Sequence, residues 1–123
     1  MSKYAQIALD SVVDLNKNQS LNPVDAWNNN AKVMYPDSLD AQTKSCPKSA
    51  FLGLCEDGLI SGVKPGSYTT SKLNKGYALA ALSHLKSNPQ LNEKELWSLV
   101  SKKQANNQMA VVKALYSKGY TVE

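Results

Sequence analysis

The segment SCPKSAFLGLCEDG, residues 45–58, contains both cysteines of the chain and signals for the two ends of a helix. Ser45 or Cys46 can cap the helix start, and the proline that follows fits the first turn, where a backbone amide hydrogen is not needed. Gly58 comes after an acidic pair and is typical of the left-handed residue that ends a helix. One face collects the apolar side chains Ala50, Phe51, Leu54 and Cys55. The segment predicts a short helix over about residues 47–57.

Five further segments show helical spacing of apolar residues or helix-capping signals. Asn22 and Pro23 form a strong helix start, and Asn92 with Glu95 forms a capping box. The helix over about 70–87 is the most apolar, so we expect it at the centre of the fold. No segment alternates long enough to predict a strand. The chain is predicted to be all-α, one compact domain over residues 1–123, with helices at about 3–16, 22–35, 47–57, 70–87, 92–103 and 107–118.

Two connections read as loops. Residues 36–44 are polar and rich in aspartate, and the segment ISGVKPGSYTTS contains two glycines and a proline. The pair Pro65 and Gly66 predicts a type II turn, in which glycine supplies the positive φ.

Charge is unevenly distributed along the 123 residues, which carry a net charge of +4. Residues 1–43 hold three lysines and five aspartates, whereas residues 44–123 hold eleven lysines and five acidic residues. A basic second half can meet an anionic partner, nucleic acid included. All basic residues are lysine, however, and arginine is the residue suited to bidentate recognition of guanine and phosphate. Sequence-specific base reading is therefore disfavoured.

The N-terminal segment MSKYAQIALDSVVDLNKNQ has aspartates inside its apolar pattern, which argues against a signal peptide. No stretch approaches the roughly 20 apolar residues of a membrane span. We expect a cytoplasmic protein with reduced cysteines and no membrane partner.

The cysteines and the single histidine are the candidates for catalysis. Along one helix Cys46 and Cys55 would lie about 13 Å apart, too far for a disulfide. With one histidine and no close CxxC pair, no metal site is expected. Cys46 at a helix start sits at the positive end of the helix dipole, which favours a reactive thiolate. Its histidine base would be His84, but nothing in the sequence brings the two together, and His84 lies on a largely apolar arc.

The segment KPGSYTTSK, residues 64–72, is the best candidate for an anion site. Backbone amides at a helix start, several hydroxyl groups and two lysines can converge there on a phosphate or carboxylate. The alternative is a polar turn that only caps its own helix. We expect a groove where the 62–72 loop meets the start of the 47–57 helix, because two neighbouring helix starts would make a positive pocket. The candidate ligand-binding residues are Lys64, Ser67, Tyr68, Thr69, Thr70, Ser71, Lys72, Cys46 and Lys48.

The run CPKSAFLGLCEDGLISGVKPGSYTTSKLNKGYAL, with NQMAVVKAL near the end, resembles a family of small bacterial proteins of unknown function. The likeness covers most of the chain from Trp27 onward. The chain also looks like a protein carried on a mobile integron gene cassette. The resemblance implies one compact helical domain in a bacterial cytosol, and it implies no activity, substrate or catalytic residue.

These observations favour a non-enzymatic helical binding module for a protein partner or an anionic ligand, with no cofactor. One alternative is nucleic-acid association through the lysine-rich second half, including a lysine stripe formed by Lys72, Lys75 and Lys86. Another is a cysteine-dependent enzyme using Cys46. Self-association as a homodimer also stays open, since two tryptophans and six tyrosines can provide an aromatic patch.

Overall fold

The structure is a computed structural model that describes residues 2–122. In chain order its elements are α1 (Lys3–Lys17), α2 (Pro23–Met34), α3 (Leu39–Gln42), α4 (Ser45–Glu56), α5 (Lys72–Ser87), α6 (Glu93–Val100) and α7 (Gln108–Ser117). Residues 2–122 contain no strand, although one isolated antiparallel bridge pairs Ile60 with Thr121. The all-α prediction is confirmed, and each of the six predicted helices is present.

Helix boundaries follow the capping signals of the sequence closely. Asn22 accepts a hydrogen bond from the amide of Asp25 at 2.9 Å, and Asn92 and Glu95 form the reciprocal capping box. Gly58 adopts the predicted left-handed conformation after α4, with φ of 71°. Local hydrogen bonds of this kind depend on neighbouring residues alone, which explains why the sequence predicts them.

Three local predictions were wrong. The expected loop over 36–44 contains the single turn α3, because the Ser38 side chain accepts from the amide of Ala41 and starts a helix. Neither Ser45 nor Cys46 caps α4, since the helix already begins at Ser45 and its N-cap, Lys44, makes no side-chain capping bond. Gly66 does not have a positive φ; within this loop Gly62 has one instead.

Gly66 is nevertheless needed where it is, for a different reason. A Cβ atom at this position would lie 2.9 Å from Cζ and from Oη of Tyr68. The ring of Tyr68 therefore folds over a residue that has no side chain, and the glycine allows close approach.

α4 is the helix that the fold surrounds. Every residue from Ser49 to Glu56 is buried, and the helix packs against α2, α5 and α7. α5 also packs against three helices, α4, α6 and α7, but its buried face is a narrow stripe. Leu73, expected on that face, is 53% exposed. The apolar sequence of α5 therefore predicted more burial than this helix has. The shorter helix α4, and not α5, lies at the centre of the fold.

One hydrophobic core unites the six longer helices, so the described residues form a single domain. Its largest members include Trp27 of α2 and Phe51 of α4, whose ring centroids lie 5.4 Å apart. α7 contributes five consecutive buried residues, Gln108 to Val112, and packs against α1 as well as α4 and α5. Within the described range, no helix has the length and apolarity needed to cross a bilayer.

Candidate anion-binding groove

The loop between α4 and α5 is held by a buried carboxylate. Oε1 of Glu56, the last residue of α4, accepts the backbone amides of Tyr68 at 2.7 Å and Thr69 at 2.8 Å, and Oε2 accepts from Nζ of Lys75 at 2.9 Å. The amide of Thr69, the lysine and the amide of Tyr68 together lower the pKa of Glu56 to about 2. Two of the amides predicted to bind an external anion thus already bind an internal one.

Lys75 lies between two carboxylates. Its Nζ is 2.8 Å from Oδ1 of Asp57 and 2.9 Å from Oε2 of Glu56, and these hydrogen bonds, the one to Asp57 foremost, raise the pKa of Lys75. The lysine stripe predicted along α5 is therefore interrupted, because this side chain faces α4 rather than solvent. Lys72 and Lys86 are exposed on either side of the gap.

The side chain of Ser71 caps α5, the helix that follows it. Its hydroxyl accepts from the amide of Asn74 at 3.5 Å and from Nδ2 of Asn74 at 3.0 Å, so it is the N-cap of α5. Oδ1 of Asn74 in turn accepts from the buried Gln108 of α7 at 3.1 Å. This part of the predicted anion site fits the alternative interpretation, a polar turn that caps the helix after it.

A cavity of about 420 Å³ lies where the loop meets the start of α4. Its walls come from α4 between Ser45 and Leu52, from residues 67–70 of the loop, from α2 and from the residue that follows α3. We call it the α4 groove, lined by Val24, Thr43, Ser45, Lys48, Ser49, Leu52, Ser67, Tyr68, Thr69 and Thr70. The groove lies at the junction of the 62–72 loop with the start of α4, where the sequence predicted one. Of the two helix starts expected to form it, only that of α4 lines it, because Ser71 and Lys72 at the start of α5 are not among its lining residues.

The charge of the α4 groove is positive. Lys48 is the one charged residue among the residues that line it, and the lining includes no aspartate or glutamate. The amides of Ser45 and Cys46 lie in the first turn of α4, and within the described residues they donate no capping hydrogen bond to a side chain. The groove therefore combines a lysine with the uncapped, positive end of a helix dipole.

The hydroxyl groups of Ser49 and Thr69 lie together in the groove, and only one of their two hydrogen atoms has a protein acceptor. Thr69 Oγ1 lies 3.3 Å from Ser49 Oγ and accepts the amide of Ser71 at 3.1 Å. The bond between the two hydroxyls uses one of their two hydrogen atoms, and the other has no acceptor within residues 2–122. Both residues line the groove, so a solvent molecule or a ligand bound there can accept that hydrogen.

The remaining predicted site residues are dispersed. Lys64 lines a second cavity and not the α4 groove. Lys72 is exposed at the start of α5 and lines neither cavity, while Cys46 is partly exposed at the start of α4 and is also absent from the groove lining. His84 is half-buried in the last turn of α5. Among the described residues no hydrogen bond joins His84 to Cys46.

Both cysteines are free, as the helical spacing predicted. Cys55 is fully buried, and burial raises the pKa of its thiol. No group of three or more histidine, cysteine, aspartate or glutamate side chains with a metal-binding arrangement occurs in the described part of the chain.

Several groove residues were not singled out from the sequence as ligand contacts. Val24, Thr43 and Leu52 come from three separate parts of the chain, so no local spacing connects them. The sequence did contain one signal for Ser49, because it is a hydroxyl residue within the otherwise apolar centre of α4. Glu56 carried no distinguishing signal, since an acidic residue before a terminal glycine is ordinary.

The described residues form a small all-helical domain with a surface groove beside α4. The chain belongs to a family of unknown function (DUF6979), whose model matches residues 1–122. No curated protein and no solved structure shows significant similarity to the chain.

Proposed function

We propose that the protein is a non-enzymatic binding module that accepts an anionic ligand in the α4 groove. One observation carries this proposal: Lys48, the uncapped start of α4 and an unused hydroxyl hydrogen of the Ser49 and Thr69 pair meet in one cavity with no lining carboxylate. Donors that lack protein acceptors favour a ligand that only accepts, and a phosphate or carboxylate group does so.

Two features of the groove support ligand binding over a passive surface. Glu56 fixes the backbone of Tyr68 and Thr69 through two short hydrogen bonds, so this wall of the groove is preorganised. The same carboxylate shows that the loop can surround an anionic group, since it holds one on its inner side. The groove offers a second set of donors on its outer side.

The proposal is tested by titrating the protein with inorganic phosphate and with acetate at constant ionic strength, following backbone amide chemical shifts. Shifts are expected first at Ser45, Cys46 and Lys48. Lys48→Gln is expected to weaken binding roughly tenfold, the size of one charge-assisted hydrogen bond. Lys102→Gln, which removes an exposed lysine that lines neither cavity, is the matched control and is expected to leave the affinity unchanged. If the amide shifts were spread evenly over all lysines, or if the two variants bound with equal affinity, anion binding in the α4 groove would be refuted.

We also propose, from the resemblance of the sequence, that the protein works in a bacterial cytosol and is carried on an integron gene cassette. Sequencing of the DNA on both sides of the gene tests the second part, because a cassette carries a recombination site at its end. Flanks without such a site would contradict it.

A further inference from the structure

A second cavity, like the α4 groove, is bordered by Tyr68. It measures about 210 Å³ and is bounded by the turn between α1 and α2 and by residues 62–64. Tyr68 lines both cavities. α2 also connects them, because Pro23 lines the second cavity and Val24, the next residue, lines the α4 groove.

The side chain of Tyr68 is a fixed boundary between the two cavities. Its hydroxyl donates to the carbonyl of Lys64 at 2.7 Å, its amide donates to Glu56, and its ring lies over Gly66. A residue held at both its backbone and its ring tip has little freedom to move aside. Both cavities are therefore present together rather than in alternation.

The two cavities share one charge pattern. Each has a single lysine among its lining residues, Lys48 in the α4 groove and Lys64 in the second cavity, and neither lining includes an acidic residue. Apolar atoms of Pro23 and Val24 lie along the α2 edge between them. The surface is thus positive at two separated points, with an apolar edge connecting the cavities.

We infer that the ligand of this site is a linear dianion whose two acidic groups are joined by an aliphatic segment. One acidic group binds at Lys48 and the other at Lys64, and the aliphatic segment lies along Pro23 and Val24 past Tyr68. The inference rests on the proposed function, because it assumes that the α4 groove binds the first acidic group. A linked second group raises affinity, provided that the linker spans the distance between the two sites.

Aliphatic α,ω-dicarboxylates of increasing chain length measure that distance directly. Affinity is followed by amide chemical shifts at constant ionic strength, with acetate as the one-group reference. We expect short members to bind like acetate and one longer range of lengths to bind at least roughly tenfold more tightly. In Lys64→Gln the length dependence is expected to vanish, and acetate is expected to shift the amides beside Lys48 but no longer those beside position 64. In Lys48→Gln the length dependence and acetate binding are both expected to weaken.

The possible failures are distinguishable. If acetate and phosphate shift no amide of the α4 groove, the proposed function fails and the inference fails with it. If they bind at Lys48 but affinity does not depend on dicarboxylate length, or depends on it equally in Lys64→Gln, the proposed function stands and the two-site ligand is refuted. Thermal melting of each variant shows that loss of binding is not loss of fold.

Discussion

Gly53 of α4 lies directly against the backbone of Lys75 in α5. A Cβ atom on Gly53 would be 2.7 Å from Cβ and 2.8 Å from Cα of Lys75, closer than non-bonded carbons approach. The absence of a side chain lets the two helices meet at this point. Because they meet there, Nζ of Lys75 reaches the carboxylate of Glu56, and Glu56 in turn holds the groove loop.

Gly53→Ala is expected to lower the free energy of unfolding by about 1–3 kcal/mol, because α5 has to shift outward to admit the methyl group. Gly76→Ala is the matched control within α5, where no atom lies within 4 Å of the added carbon. It is expected to raise stability by up to about 1 kcal/mol through helix propensity. Urea denaturation of both variants gives the comparison, and a stabilised Gly53→Ala would contradict the close approach of α4 to α5.

Glu56→Gln is expected to destabilise the protein by about 2 kcal/mol, since glutamine has no charge for Lys75 and one acceptor oxygen in place of two. Asp57→Asn serves as the control, because Asp57 contacts the same lysine but its side chain is 42% exposed. Its effect is expected to stay below about 1 kcal/mol. Chemical denaturation at neutral pH measures both, and equal losses would argue against the buried carboxylate as the main support of the loop.

Stability is expected to fall in acid because of the same carboxylate. The pKa of Glu56 is lowered from its ordinary 4.5 to about 2, so its stabilising contribution is complete above about pH 4.5 and is lost as the pH falls towards 2. The stability difference between the wild type and Glu56→Gln should therefore shrink across this range. Urea denaturation at several pH values measures it, and a difference that stays constant down to pH 2 would be inconsistent with a lowered pKa.

The two thiols are expected to react very differently with a disulfide reagent such as Ellman's. Cys46 is partly exposed and Cys55 is fully buried, so one thiol per chain should react in the folded protein and two after unfolding. Cys46→Ser is expected to abolish the fast reaction, while Cys55→Ser should leave it in place. Two fast thiols in the native protein would show that Cys55, and with it the centre of α4, is not buried.

The sequence predicted those parts of the fold that depend on neighbouring residues. Helix periodicity, the caps at Asn22 and Asn92 and the stop at Gly58 all act over a few positions. The support of the groove loop was not predictable in this way, because Glu56 contacts residues 12, 13 and 19 positions further along the chain. Those contacts occupy some hydrogen-bond donors of the loop and leave others free for a ligand. The sequence therefore indicated the region of the site, but only the structure shows which donors are free.

The position of α7 has a consequence for how the chain folds. This last helix packs against α1, from which it is separated by roughly 100 residues, and it also covers α4 and α5. Contacts over such sequence distances form late, because a long loop has to close before they contribute. During synthesis the apolar surfaces of α1 and α4 that α7 covers therefore stay open until α7 leaves the ribosome, and the central helix becomes enclosed only after α7 has been made.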